Sequence, residues 1–170
     1  MKHLTSELSK PGRNRFVLVF AIFCMALVSV HAEGARLNFP KEGFSIKPLE
    51  SSGKAPGHQI LMMMLPDDGT FSPNVNVLTQ TFADSLDDYK AISMNQFSQM
   101  EMSVPVCEMR GTALIMEYAG ILQGRELHFY AKAVQRGGLV YLVTATATEE
   151  QWGQHKAKLI DVVDSFKLEG

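Results

Sequence analysis

The sequence predicts an α/β domain of the α+β kind, an α/β/α sandwich whose largely antiparallel sheet is flanked by helices on both faces. Three observations predict it. Residues 125–134 and 139–148 are rich in β-branched and aromatic residues and flank Gly137-Gly138, and paired glycines take the positive φ values of a two-residue hairpin turn. With those glycines at the turn, Glu126, His128, Tyr130, Lys132 and Val134 share one face with Tyr141, Val143, Ala145 and Ala147, and Leu127, Phe129, Ala131 and Ala133 share the other with Leu142, Thr144 and Thr146. Neither face is wholly polar, so both need cover. Two amphipathic stretches with capping signals, one opening at Ser85 and one at Thr148, supply the covering helices.

Taken in order, the chain opens with Lys2, Lys10, Arg13 and Arg15, then an apolar run from Phe16 to Val30, then Val30-His31-Ala32. This is the pattern of a secretory signal peptide cleaved near Ala32, the alternative being a segment kept uncleaved as a membrane anchor. The apolar run falls short of the roughly 20 residues that span a bilayer, so no stable membrane insertion is expected after cleavage. Phe23 before Cys24 is too bulky for a lipobox, which argues against lipidation. The expected organisation is signal peptide 1–32 and a single domain over 33–170, a usual domain length. Cys107 is the only cysteine in that domain, so no disulfide forms within it. The whole chain carries a net charge of −2, acidic and basic residues are interspersed, and nucleic acid is not an expected partner.

Arg36 to Phe39 and Phe44 to Leu49 read as two short strands that start a sheet, joined by the turn Pro40-Lys41-Glu42-Gly43. The segment ESSGKAPG, from Glu50, is a loop. His58 to Leu65 is apolar and continuous rather than alternating, which predicts a central strand covered on both faces and stopped by Pro66. After the loop PDDGTFSP, Val75 to Phe82 is a further strand. Ser85 and Asp88 form an S-x-x-D pair ahead of Leu86, Tyr89, Ile92, Phe97 and Met100, which predicts a helix ending near Glu101 with those residues on its apolar stripe. Val104 to Arg110 and Thr112 to Ala119 are strands joined at Gly111, and 120–124 leads into the hairpin. The last helix opens with the T-x-x-Q box of Thr148 and Gln151, ends near Phe166, and packs through Trp152, Leu159, Val163 and Phe166, with Ile160 and Val162 widening the stripe.

The segments PNVNVLTQTF, SLDDYKAISMNQF, YAGILQGRELHFYAKAV and GGLVYLVTATATEEQWGQHKAKLIDVVDSFKL together resemble the PsbP-like and DcrB-type domains, over most of Arg36 to Leu168. The resemblance implies an α/β/α sandwich. It also implies a role in binding or assembly, since the family spans exported bacterial proteins of poorly known role, accessory subunits of the photosynthetic oxygen-evolving complex, and a nuclear-transport factor that binds Ran. Bacterial DcrB-type members are often lipoproteins, a feature this N-terminus lacks. No catalytic residue carries over, and a shared fold does not fix a function.

The residues that suggest chemistry are few. Met62, Met63, Met64, Met100, Met102, Met109 and Met116, with His58, His128 and His155, contain soft donors suited to copper. Thioethers are also ordinary core fillers, which is the preferred reading. The candidate metal set is Met100 and Met102, at an expected exposed helix end, with His58 and His128. Hydrolase motifs are absent, and the S-x-x-K match Ser51 to Lys54 lies in a loop rather than on a helix. Cys107 is a nucleophile only with a base such as His128 or His155 in reach. Asn74 and Asn76 read as turn and strand-end residues, Lys54, His58, Asp67, Asp68 and Arg125 as loop residues of unknown proximity, and Trp152 as core. The expected function is a periplasmic or secreted, non-enzymatic binding or assembly domain without a cofactor, acting on a protein or envelope component. The alternatives are a copper-binding protein and an unrecognised hydrolase.

Overall fold

The computed structural model describes residues 36–41, 43–47, 57–66, 69 and 71–169. The expected signal segment, the Ser51-to-Lys54 pair, Asp67 and Asp68 lie outside these residues. The elements run β1 (Leu37–Phe39), β2 (Phe44–Ile46), β3 (Gly57–Met64), β4 (Asn74–Thr81), α1 (Leu86–Gln99), β5 (Ser103–Arg110), β6 (Ala113–Leu122), β7 (Arg125–Arg136), β8 (Leu139–Thr148) and α2 (Glu149–Asp164). Strands β3 to β8 form one six-stranded antiparallel sheet in the order β3-β4-β8-β7-β6-β5, while β1 and β2 make a two-stranded sheet of their own.

The hairpin at the centre has the expected register. Arg136 opposes Leu139 and Tyr130 opposes Ala145, with Gly137 and Gly138 at φ 61° and 76° in the turn. Strand β6 runs further than expected, to Leu122, because Gln123 and Gly124 at φ 52° and 77° supply a second two-residue turn. Both capping boxes are formed: Ser85 Oγ accepts from the Asp88 amide, and Thr148 Oγ1 from the Gln151 amide, each answered by the side chain at the third helical position.

Helices cover both faces of the sheet. On one face α1 packs Leu86, Tyr89 and Phe97 onto Leu114, Met116 and Tyr118 of β6, Leu127, Phe129, Ala131 and Ala133 of β7, and Val140 and Leu142 of β8. Phe97, Tyr118 and Phe129 stack in series, with centroids 4.3 and 4.7 Å apart. On the other face α2 packs Trp152, Leu159 and Val163 onto Val75, Ile115, Tyr130, Val143, Ala145 and Ala147. The small alanines of β7 and β8, fully buried, let each helix approach closely.

Two expectations are corrected. Ile92 does not join the α1 stripe: it is exposed, and Ser93 turns inward instead, its hydroxyl donating to the Tyr89 carbonyl at 2.8 Å. More important, β3 is an edge strand and not a central one. A continuous apolar run has the same sequence signature whether its faces are covered or bare. The cover depends on where the helices land, which local sequence does not specify.

Candidate functional site

Helix α1 lies over β5, β6 and β7, and α2 lies over β8, β7 and β4. Among the described residues neither helix packs on β3 as it does on these strands, so β3 overhangs the sandwich. Along β3, Leu61 and Met63 oppose Val77 and Val75 and stand on the α2 face, whereas Met62 and Met64 oppose Asn76 and Asn74 on the α1 face. A bulge between Gln59 and Leu61 lies next to them. Ile60, Leu61, Met62, Met63 and Met64 are 55%, 36%, 44%, 44% and 61% exposed. Among the described residues no strand pairs with the outer edge of β3. Its sequence, GHQILMMM, contains no proline and no Asp, Glu, Lys or Arg.

The opposite edge of the sheet is protected. Strand β5 carries Pro105, a break in register between Ser103 and Val106, and an exposed ion pair between Arg110 and Glu108 at 2.7 Å. Proline, bulges and charge are the usual means of keeping an edge from pairing with another chain. The β3 edge has the bulge alone. A second bare apolar surface lies on the β1–β2 hairpin. Leu37 opposes Ile46 and Phe39 opposes Phe44, so all four fall on one face, and Leu37, Phe44 and Ile46 are exposed.

The polar chemistry of the molecule centres on His128 in β7. Its Nδ1 lies 2.8 Å from Glu149 Oε2, its Nε2 lies 2.9 Å from Glu117 Oε1, and its ring stacks on Trp152 with centroids 4.2 Å apart. A neutral imidazole has one N–H and donates to one carboxylate; the imidazolium donates to both. Either way both nitrogens are occupied by partners from different elements. The ring then ties β6, β7 and the first turn of α2 together.

The sequence-predicted site residues do not converge. Met100 and Met102 sit on the α1 side, where with Phe97, Tyr118, Leu122 and Phe129 they line an apolar cavity of about 10 Å³, too small for a ligand. Met102 is half-buried rather than exposed. Its sulfur lies 2.6 Å from where a Cβ on Gly120 would stand, so the loop after α1 is pressed onto β6. His128 is on the α2 side with both nitrogens engaged, and His58 belongs to β3, opposite Thr79 in the ladder and three strands from β7. The metal set Met100, Met102, His58 and His128 is therefore not assembled, and among the described residues no group of three His, Cys, Asp or Glu side chains is placed to hold a metal.

Cys107 packs against the α1-side core, while His128 is on the other face and His155 is on α2, so the sheet stands between thiol and imidazoles. Burial pushes the Cys107 thiol up, against a smaller opposing effect of Lys90, which is the wrong direction for a nucleophile. Asn74 does what a turn residue does, donating from Nδ2 to the Ser72 carbonyl at 3.0 Å.

Sequence reasoning missed Glu117 and Glu149, which are 11 and 21 residues from His128. The strand register carried the signal. Ala119 opposes His128, placing Glu117 two residues away on the same face, and Ala147, also opposite His128, leads directly into Glu149.

No protein-family model matches the sequence, and no curated protein does. Solved structures do share its shape. The Pseudomonas aeruginosa protein PA94, of unknown function, is 12% identical with a TM-score of 0.55, over 80% of this chain and 97% of its own. The cyanobacterial PsbP of Synechocystis is 13% identical with a TM-score of 0.46, over 79% and 92%. LpqN of Mycobacterium tuberculosis, involved in cell envelope biogenesis, is 10% identical with a TM-score of 0.43, over 65% and 80%. At these identities the likeness is one of fold, and no family model assigns the chain to the DcrB type. The chain is an α/β/α sandwich that shares its fold with PA94.

Proposed function

We propose that this protein is an exported, non-enzymatic envelope domain that binds an extended, apolar, uncharged segment of a partner protein as an added strand beside β3. The observation that carries the reading is the edge of β3, which no strand among the described residues pairs with, and which has five consecutive exposed apolar side chains and no charge or proline. An open edge offers main-chain donors and acceptors to a partner strand, and alternate side chains on the two faces select its sequence. The charge-free strand favours an apolar partner segment over an acidic or basic one. Export is supported by the basic and apolar N-terminal sequence. Among the described residues no helix is long and apolar enough to cross a membrane. The engaged His128 ring and the half-buried Cys107 thiol, held on the opposite face of the sheet, give the hydrolase alternative no support.

The test is a photo-crosslinking residue at Ile60 in the native host, followed by purification of the captured protein and rebinding to the full chain. The reading expects the purified partner to slow amide exchange over Gly57–Met64, and the Leu61→Lys, Met63→Lys double variant to lose at least about tenfold in affinity. Binding that survives the double variant, or protection that falls elsewhere, refutes it.

One observation favours a second reading. Met62 and Met64 are both exposed on the α1 face of β3, which offers two thioethers to a soft cation such as Cu(I). Cu(I) binding tighter than micromolar that is lost in Met62→Leu, Met64→Leu sustains this reading, and no such binding removes it.

A further inference from the structure

We propose that Met62-Met63-Met64 is a site of reversible oxidation by peroxides, and that oxidation turns the β3 edge from apolar to polar. The regulatory half of this inference rests on the partner-binding reading; the modification site does not. Three adjacent thioethers on an uncovered strand are open to a small oxidant from both faces of the sheet, Met63 on the α2 face and Met62 and Met64 on the α1 face. Other methionines are differently placed. Met116 is buried beneath α1, Met102 is packed between the α1-side core and Gly120, and Met94 and Met109 are exposed singly on α1 and β5.

The chemistry is a two-electron transfer. A sulfur lone pair attacks one oxygen of hydrogen peroxide, the O–O bond breaks, that oxygen stays on sulfur as the sulfoxide, and the other leaves as water. Sulfur is oxidised and the peroxide is reduced. A thiol-dependent methionine sulfoxide reductase reverses the step, two thiols becoming a disulfide as the oxygen leaves as water. Each sulfoxide places a strong hydrogen-bond acceptor where an apolar side chain stood. Three in succession make both faces of the edge polar, so an apolar segment no longer gains by lying against it.

The full chain is treated with hydrogen peroxide to limited conversion, and each methionine is followed by peptide mass spectrometry. Met62, Met63 and Met64 are expected to oxidise at least about tenfold faster than Met102 and Met116, ahead of Met94 and Met109, and to be restored by the reductase. Rates for the triplet close to that of Met116, or Met94 and Met109 reacting first, overturn the proposal. A second measurement uses the fluorescent apolar probe anilinonaphthalenesulfonate. Oxidation should reduce its binding to the wild-type protein but not to the Met62→Leu, Met63→Leu, Met64→Leu variant; equal loss in both overturns the apolar-to-polar switch. If the triplet reacts selectively but the crosslinked partner does not protect β3, the modification site stands and the partner reading falls. If the partner protects β3 but the triplet is not selectively oxidised, the reverse holds.

Discussion

The indole of Trp152 lies nearly parallel to the imidazole of His128, 15° between planes and 4.2 Å between centroids. This one stacking joins the first turn of α2 to the middle of the sheet, and the same imidazole reaches Glu117 on β6 and Glu149 on α2. Trp152 is buried in the α2-side core. Trp152→Ala should cost about 3–5 kcal/mol, the usual cost of truncating a buried aromatic, measured as a fall in the urea midpoint with an unchanged slope.

Within the same group, His128→Leu removes the ring that partners two carboxylates and leaves the half-buried Glu117 without it. Its cost should shrink by about 1 kcal/mol when Glu117→Gln is added, since a neutral amide tolerates that position better than an orphaned carboxylate. A double-mutant cycle by chemical denaturation reads the coupling. Additive effects would show that the pair contributes nothing of its own.

Gly120→Ala tests the pressing of the loop onto β6. The added methyl meets the Met102 sulfur at 2.6 Å, so the thioether must swing out of the α1-side core. A loss of about 1–3 kcal/mol is expected, as for overpacking in general. Met102→Ala in the same chain should recover part of it, with the two melting curves as the measurement.

Alkaline pH should unfold the domain. Burial holds the Tyr89 and Tyr118 phenols above their ordinary value of 10.0, with Tyr89 adding to the effect at Tyr118. In the unfolded chain both phenols ionise near 10.0. The stability they confer is therefore fully present below that value and is lost as pH rises above it. A phenolate absorbance titration should show Tyr89 and Tyr118 ionising only with the unfolding transition followed by circular dichroism. Tyr118→Phe should move that transition to higher pH.

The elements most legible in the sequence are those specified by neighbouring residues. The Gly137-Gly138 turn fixes its register within a few positions, the Ser85 and Thr148 caps are read off three-residue spacings, and strand alternation then sorts the residues of β7 and β8 onto their two faces. What was illegible depends on distant partners. GHQILMMM reads as a buried strand, and only the placement of α1 and α2 leaves it bare. Glu117 and Glu149 are ordinary surface acids until the β6–β7 and β7–β8 registers bring them to His128. The methionines divide the same way: Met102 and Met116 are packed, as thioethers often are, while Met62 to Met64 are not.

The strand order also sets a direction of dependence. Strands β5, β6, β7 and β8 follow one another as neighbours, but β4 is held by β8. The β3–β4 pair thus has no place to attach until the last strand has been made. During synthesis, and during any passage across a membrane as an extended chain, β3 and β4 must travel without their template. The C-terminal meander closes its own short-range pairings first, and the slower, long-range joining of β4 to β8 completes the sheet. Removing the C-terminal residues from β8 onward would therefore cut the β3–β4 pair off from β5, β6 and β7, since β8 is the strand that joins them.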